Sequence, residues 1–401
     1  MTTAVQVVRR FEILAADANS VGDVARSVNE AVPPGMTSEV NAVQRPPLVE
    51  VRLEGAARVV SDVMARIEAV HGPRIRHDVL KARGERTRAV TVGQNGSVHP
   101  DLNARERIGA DAVPPETKSV PVTVAIVDSG LMVGHPAFTD HLWTGGGGIH
   151  GKQFIEGKSD GDISDQDGHG TLLAGTILSA AADAPVKLMT AKFFDAANPA
   201  RPDNAAAALE FAVNNKAKII LLAWDVGLGS VRLQDAFREA GTHALVVIAA
   251  GNYGSDNDWH DGQSSARAPV RYAKDFPSST ITVMATDESD EKAWFSNYGP
   301  KTVDLAAPGA GIVSTRRALS KAPTDEPKRY RAHSGTSPAA AYVAGAAALL
   351  MSRFPSLTVR EIKDCLVDSV DKLPGLKCAS GGRLCIPAAL ERAAKLAKGK
   401  P

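Results

Sequence analysis

Pro121-Val-Thr-Val-Ala-Ile-Val-Asp128-Ser-Gly130 is the stretch on which the fold turns. Residues 122–127 are almost continuously apolar and rich in β-branched side chains, and the run stops at a carboxylate. A strand apolar on both faces is what a parallel sheet covered by helices on both sides requires. Similar short runs return at 186–194, 218–224, 244–250 and 281–285. Around them, Ala-rich or amphipathic stretches predict helices near 169–182, 204–217, 231–240, 338–353 and 358–369. The alternation predicts an α/β domain over 121–401 with a doubly wound, mostly parallel sheet. Ligands of such sheets bind beyond the carboxyl ends of the strands, so Asp128 falls where chemistry is expected.

Upstream the pattern changes. Val5 and Val7, then Phe11 and Ile13, alternate with polar neighbours. Val21, Val24, Ala25, Val28, Ala31 and Val32 follow a helical period, with Ser20 and Asp23 placed as a capping box and Pro33-Pro34-Gly35 as the stop. Val49, Val51 and Leu53 return to period two; Val60, Val63, Met64, Ile67 and Val70 predict a second helix ending at Gly72-Pro73, and a last strand is expected near 75–80. This order predicts a small α+β ferredoxin-like domain over 1–82. Residues 83–120 hold Gly, Pro and Asn without a sustained period and read as a linker.

With 46 Lys and Arg against 45 Asp and Glu, the net charge is +1. That balance gives no footprint for nucleic acid or an anionic membrane, so neither is an expected partner. The first residues lack the apolar core of a secretory signal, which leads to the expectation of a cytoplasmic protein. Residues 339–351 form the longest mostly apolar run, but it is Ala-rich, broken by Gly345 and too short for a membrane span. Cys365, Cys378 and Cys385 are too few for a disulfide framework; reduced thiols are expected rather than a Cys378–Cys385 bridge.

Three polar residues sit at expected strand ends or helix starts. They are Asp128, His169 in Asp167-Gly-His-Gly-Thr171, and Ser337 in Ser334-Gly-Thr-Ser-Pro338. Each alone has a plain structural account: a turn-capping aspartate, a first-turn histidine, an N-cap serine before Pro338 at the first helical position. Together at one sheet edge they are what acyl transfer needs. A hydroxyl is a weak nucleophile, an imidazole takes its proton, and a carboxylate fixes the imidazole tautomer and stabilises the imidazolium.

These segments resemble the motifs of the subtilisin-like serine proteases, the subtilases, in that family's chain order. Val124-Ala-Ile-Val-Asp-Ser-Gly130 resembles the aspartate motif, Asp167-Gly-His-Gly-Thr171 the histidine motif and Ser334-Gly-Thr-Ser337 the serine motif. Ala249-Ala-Gly-Asn252 resembles the oxyanion segment; Phe295-Ser-Asn-Tyr-Gly299, Val303-Asp-Leu-Ala-Ala-Pro-Gly309 and Tyr342-Val-Ala-Gly345 match supporting segments. The resemblance runs from about 121 to 392, outside the first 80 residues. It implies a serine endopeptidase in which Ser337 is the nucleophile, His169 the base and then the acid, and Asp128 its orienting partner. Asn252 would stabilise the oxyanion beside the Ser337 N–H. The resemblance further implies a protein or peptide substrate lying against Asp225, Val226, Gly227, Ala250 and Gly251, with no cofactor required. For residues 1–82 it implies either a propeptide that is removed or a retained module that recruits a regulatory protein partner.

The chain departs from the family at several points. Pro338 stands where Met is usual after the serine, and Leu172 follows His169-Gly-Thr where His is usual. In Leu222-Ala-Trp-Asp-Val-Gly227, Asp225 replaces a serine of the cleft segment. A carboxylate there either stands near the substrate's P1 side or near His169, whose pKa it would then raise, or turns to solvent or caps a turn. A catalytically silent or partner-regulated binding module on the same fold is therefore the alternative to an enzyme. A lipase-type hydrolase is disfavoured, since its order is Ser, acid, His and Ala339 breaks its G-x-S-x-G elbow. Gly146-Gly-Gly-Ile-His-Gly151 matches a dinucleotide pattern without the strand and helix that would support it. Asp160-Gly-Asp-Ile-Ser-Asp-Gln-Asp167 is a possible calcium loop, though a solvated acidic loop is the plainer reading.

Overall fold

All five apolar runs form strands that lie side by side in one sheet. The structure, a computed structural model, describes residues 102–116, 118–258, 266–316 and 330–399. In the N-terminal part it describes 6–14, 25–27, 29–30, 32–33, 37–44, 47–56 and 75–76. The chain divides into two compact units, Met1–Ala89 and Val90–Pro401.

The first unit holds β1 (Gln6–Leu14), β2 (Thr37–Gln44), β3 (Pro47–Ala56) and β4 (Ile75–Arg76). They form an antiparallel sheet in the order β2-β3-β1-β4. Its register sets Phe11 opposite Val51 and Ile13 opposite Val49, the residues whose period-two pattern predicted the strands. Pairing β1 with β3, while β2 and β4 take the edges, is the arrangement a split βαβ unit produces. Residues 25–27 and 29–30 are helical. The Ser20–Asp23 cap and the helix expected over residues 60–70 lie outside the described residues.

In the second unit, α1 (Leu102–Ile108) precedes β5 (Val122–Asp128), β6 (Gly151–Gln153), α2 (His169–Ala181) and β7 (Val186–Lys192). Next come α3 (Pro202–Asn214), β8 (Ile219–Leu222), α4 (Val231–His243), β9 (Leu245–Ala249), β10 (Thr280–Thr286) and β11 (Leu305–Pro308). The hairpin of β12 (Ile312–Thr315) and β13 (Tyr330–His333) leads to α5 (Thr336–Arg353) and α6 (Val359–Asp368). The chain then forms β14 (Asp371–Lys372), β15 (Gly382–Arg383) and α7 (Ile386–Lys398). The nine-stranded sheet has the order β14-β15-β11-β10-β9-β8-β5-β7-β6 and is parallel except between β14 and β15.

Successive strand residues divide between two cores. Val124, Ile126, Leu188, Ile219, Leu221 and Val247 pack with α2 and α5 on one face. Ala125, Val127, Met189, Ile220, Leu222 and Val246 pack with α3 and α4 on the other. Full burial on both faces leaves no polar alternation to see in the sequence, and each such Val, Leu or Ile contributes about 1.5–3 kcal/mol. Helix α5 is covered almost all round, and a Cβ on Gly345 would lie 2.2 Å from the Ile177 carbonyl oxygen of α2. Its Ala-rich composition thus lets two helices pack closely. Among the described residues no helix is long and apolar enough to cross a membrane.

From β5 the chain passes through α2 to β7 on one side, then crosses through α3 to β8 on the other. The strand order reverses at β5, and the crevice beyond its carboxyl end is the expected binding place.

Three differences from the sequence reading have physical causes. The stretch expected to be a linker holds α1, whose Ala104 and Ile108 are buried in the first core; seven residues are too few for a period to show. Strands β6, β11, β12, β13, β14 and β15 have four residues or fewer, below the length at which periodicity speaks. Helix α5 begins at Thr336 with Gly335 as N-cap, so Ser337 is inside the first turn and is not the cap. Pro338 fits there because first-turn N–H groups have no intrahelical acceptor. Cys365, Cys378 and Cys385 are all free thiols.

Candidate active site

Asp128 ends β5 and His169 begins α2, and the intervening chain brings them into contact. The buried Asp128 carboxylate accepts through Oδ1 from Ser129 N–H at 2.8 Å and from His169 Nδ1 at 2.8 Å. A carboxylate only accepts, so the proton is on Nδ1. The approach is close because Gly170 has no side chain: a Cβ there would lie 2.2 Å from the Gly130 carbonyl oxygen.

Asp165, four residues before the histidine, ties the two segments together. Its Oδ1 accepts from Ser129 Oγ at 2.9 Å and Gly168 N at 2.7 Å; its Oδ2 accepts from Thr171 N at 2.9 Å and Thr171 Oγ1 at 2.6 Å. Ser129 Oγ in turn accepts from Gly170 N at 3.0 Å. One buried carboxylate therefore fixes both the turn after Asp128 and the first turn of α2. Asp167 adds a bond from His169 N to its Oδ1 at 3.2 Å.

Burial is the largest single influence on His169 and pushes its pKa down. The negative charge and hydrogen bond of Asp128, with Asp167 and Asp165 behind it, outweigh burial and raise the pKa to about 9. A pKa so raised favours the imidazolium at neutral pH, with an N–H on each ring nitrogen. The His333 ring stands edge-on at 6.0 Å; burial, then the charges of His169 and Arg331, press its pKa down to about 3 and keep it neutral.

Ser337 lies at the positive end of α5, where its N–H has no intrahelical acceptor. Its Oγ donates to the Ala223 carbonyl at 3.0 Å, just beyond β8, and no hydrogen bond joins it to His169. An imidazolium offers no lone pair for the serine proton, so a charged His169 cannot act as its base. Loss of the imidazolium proton frees Nε2 to accept it.

Asn252 follows β9, the strand next to β8. Its Oδ1 accepts from Thr336 N at 2.8 Å and Thr336 Oγ1 at 2.9 Å, while Thr336 Oγ1 accepts from Gly251 N at 3.1 Å. With Oδ1 so occupied, the amide's Nδ2 faces the Ser337 side. A Cβ built on Gly335 would lie 3.4 Å from Asn252 Nδ2 and 3.7 Å from Ser337 N. Both nitrogens thus lie within 4 Å of one point beside Gly335, at the start of α5. Asn297 shapes this turn: its Oδ1 accepts from Tyr253 N and Ser255 N at 2.9 and 3.0 Å, and its Nδ2 donates to Ala250 O at 3.1 Å. Gly251 has φ +107°, and a Cβ there would meet Asn297 Nδ2 at 2.5 Å, so only glycine fits.

Two segments reach the start of α5: residues 223–227, through Ala223 O and Ser337 Oγ, and residues 250–253, through Asn252 Oδ1 and Thr336. Asp225 on the first accepts from Tyr253 OH on the second at 2.7 Å and pairs with Arg267 Nε. It is therefore engaged with these two side chains, and the carboxylates that raise His169 are Asp128, Asp167 and Asp165 instead. Burial, then Asp225, raises the Tyr253 phenol to about 12 and keeps it a donor. Val226 and Gly227 are held by Val226 N to Ala268 O at 3.1 Å and Ala268 N to Gly227 O at 2.7 Å.

The carboxylates of the acidic loop weighed as a calcium site have protein partners. Asp160 pairs with Lys152, Asp162 bonds Ser164, and Asp165 and Asp167 serve the histidine turn. Among the described residues no group of three or more His, Cys, Asp or Glu side chains could hold a metal ion. Residues 146–148 form a short 3₁₀ turn leading to β6, which is no phosphate cradle. Sequence reasoning passed over Asp165, Thr336, Asn297 and Arg267. The first three stand inside or beside quoted motifs, but their work is side-chain bonding across distant segments, and Arg267 stands in no motif.

The family model described as the subtilase family matches residues 120–382. The chain is 32% identical over 248 residues to the thermostable alkaline protease of Halalkalibacterium halodurans, covering 60% of this chain and 59% of that protein. It is 31% identical over 266 residues to subtilisin DY of Bacillus licheniformis, covering 64% of this chain and 86% of that one. Among solved structures, a cold adapted subtilisin-like serine proteinase superposes with a TM-score of 0.55 at 23% identity, covering 71% of this chain and 97% of its own. A lanthipeptide protease superposes with a TM-score of 0.58 at 24% identity, covering 67% and 88%. These two likenesses concern the fold.

Proposed function

Since the chain belongs to the subtilase family, we propose that it is a serine endopeptidase, with Ser337, His169 and Asp128 as its triad and Asn252 in its oxyanion hole. The observation that carries the reading is the His169 Nδ1 to Asp128 Oδ1 bond of 2.8 Å, made at the one edge where Ser337 and Asn252 also stand. Once His169 is neutral, Nε2 takes the Ser337 proton as Oγ attacks the peptide carbonyl, and Asp128 stabilises the imidazolium that forms. Asn252 Nδ2 and Ser337 N–H donate to the carbonyl oxygen as it gains charge. The imidazolium then protonates the leaving amine, and water repeats the sequence on the acyl-enzyme. No cofactor enters this chemistry.

The peptide substrate is read as lying along residues 225–227 and 250–251, whose backbone groups flank the slot. Residues 1–82 are read as a propeptide-like or regulatory domain joined to the second unit ahead of α1. Hydrolysis of a denatured protein or a fluorogenic peptide, abolished by Ser337→Ala in a protein that still melts cooperatively, tests the reading. A folded Ser337→Ala protein with full activity would overturn it.

A further inference from the structure

The geometry points to Arg267 as the residue that selects an acidic side chain at P1, the substrate residue whose carbonyl is attacked; this rests on the peptidase reading above. In this assignment the side chain of a carbonyl held by Asn252 Nδ2 and Ser337 N–H lies between residues 223–227 and 250–253, the two segments that reach the start of α5. What that side chain meets is a bridge across the slot. Tyr253 OH donates to Asp225 Oδ2 at 2.7 Å, Arg267 Nε donates to Asp225 Oδ1, and the guanidinium carbon is 5.5 Å from the Tyr253 ring centroid. A Cβ on Gly227 would lie 3.7 Å from an Arg267 terminal nitrogen, so the guanidinium spans from the first segment to the tyrosine of the second.

The hydrogen-bond accounting gives the bridge a sign. Asp225 accepts once at each oxygen, from Tyr253 and from Arg267, so its charge is already paired with a cation. Arg267 spends only Nε: among the described residues neither terminal nitrogen has an acceptor, and the side chain is 48% exposed. A guanidinium edge with its donors unspent suits a carboxylate, which it binds with two parallel bonds. A lysine or arginine at P1 must instead displace Arg267 from Asp225 and face its charge. An apolar side chain meets the Tyr253 ring and Val226 without gain or loss of charge pairing.

The test uses the full chain at pH 9.5 and four fluorogenic peptides differing only at P1: Glu, Gln, Leu and Lys. The expected result is that kcat/KM for Glu exceeds that for isosteric Gln by about tenfold or more, with Lys poorest. Raising the salt should shrink the Glu to Gln ratio, because the pair is half exposed. In Arg267→Met the ratio should fall to near one, and Arg267→Lys, which keeps the charge without the fork, should lie between. Fluorophosphonate labelling of Ser337 reports whether each variant is folded; if Arg267→Met is not, the wild-type ratio, its salt dependence and Arg267→Lys still decide. A wild-type ratio near one, an unchanged ratio in folded Arg267→Met, or a preference for Lys would overturn the assignment while leaving the peptidase intact. Failure to cleave any of the four, with Ser337 unlabelled, would sink the peptidase reading itself.

Discussion

The carboxylates around His169 set the pH at which this site can work. With the imidazolium pKa raised to about 9, first against burial and then by Asp128, Asp167 and Asp165, the neutral base is scarce at pH 7. Its fraction is about 1% at pH 7, about 10% at pH 8 and about half at pH 9. Acylation needs the neutral ring, so kcat/KM should rise about tenfold from pH 7 to 8 and about fiftyfold by pH 9. The perturbation that probes the cause is Asp167→Asn, which keeps an acceptor for His169 N, bonded at 3.2 Å, while removing one charge. Asp167 ranks behind Asp128 among the raising groups, so the midpoint should fall by about half to one unit, lifting activity at pH 7 about three- to tenfold. Asp225→Asn should leave the midpoint in place, since Asp225 pairs with Arg267 and Tyr253. The assay is kcat/KM against pH with a peptide that has no titrating group in the range. A wild-type midpoint near 6.5, or superimposable wild-type and Asp167→Asn profiles, would refute the electrostatic reasoning.

The same shift has a stability side, and its sign follows from linkage. A histidine whose pKa rises from 6.5 unfolded to about 9 folded contributes roughly 3 kcal/mol below pH 6.5, lost as pH climbs through 9. Chemical denaturation of Ser337→Ala should show that decline, and a Ser337→Ala, His169→Ala double variant should lack it. Asp165→Ala strands several buried donors, so melting should fall by about 3 kcal/mol or more and activity with it; a variant with wild-type melting would contradict the hub assigned to it. Asn252→Ala should lower turnover about 10²- to 10³-fold with KM little changed, a figure that belongs to subtilisin's own asparagine and is carried over to this chain. If residues 1–82 act as a propeptide, wild type should be cut between about 80 and 120 while Ser337→Ala stays full length, as intact mass will show; an active wild type that stays whole points to a retained module.

What could be read before the structure depended on whether the signal was local. The runs at 122–127 and 244–250 announce strands because burial on both faces demands apolar residues at successive positions, and Met189 and Leu188 indeed lie in opposite cores. Helix α1 and the two-residue strands β14 and β15 carry no such repeat; tertiary contacts hold them. At the site, Asp128, His169, Ser337 and Asn252 were recognisable because each sits in a quoted motif. The state of the site was not. That Asp165 rather than Asp225 acts on His169, and that Asp225 bridges to Arg267 42 residues away, are facts of folded proximity. No spacing in the chain encodes them.

The most direct test of the account is covalent capture of the serine. At pH 9 a fluorophosphonate should form a one-to-one adduct that peptide mapping places on Ser337, fast in wild type, slower at pH 7 in proportion to the neutral His169 fraction, and nearly abolished in His169→Ala. No adduct on folded wild type, or one that forms equally well in His169→Ala, would contradict an activated serine and return the fold to the role of a silent binding module.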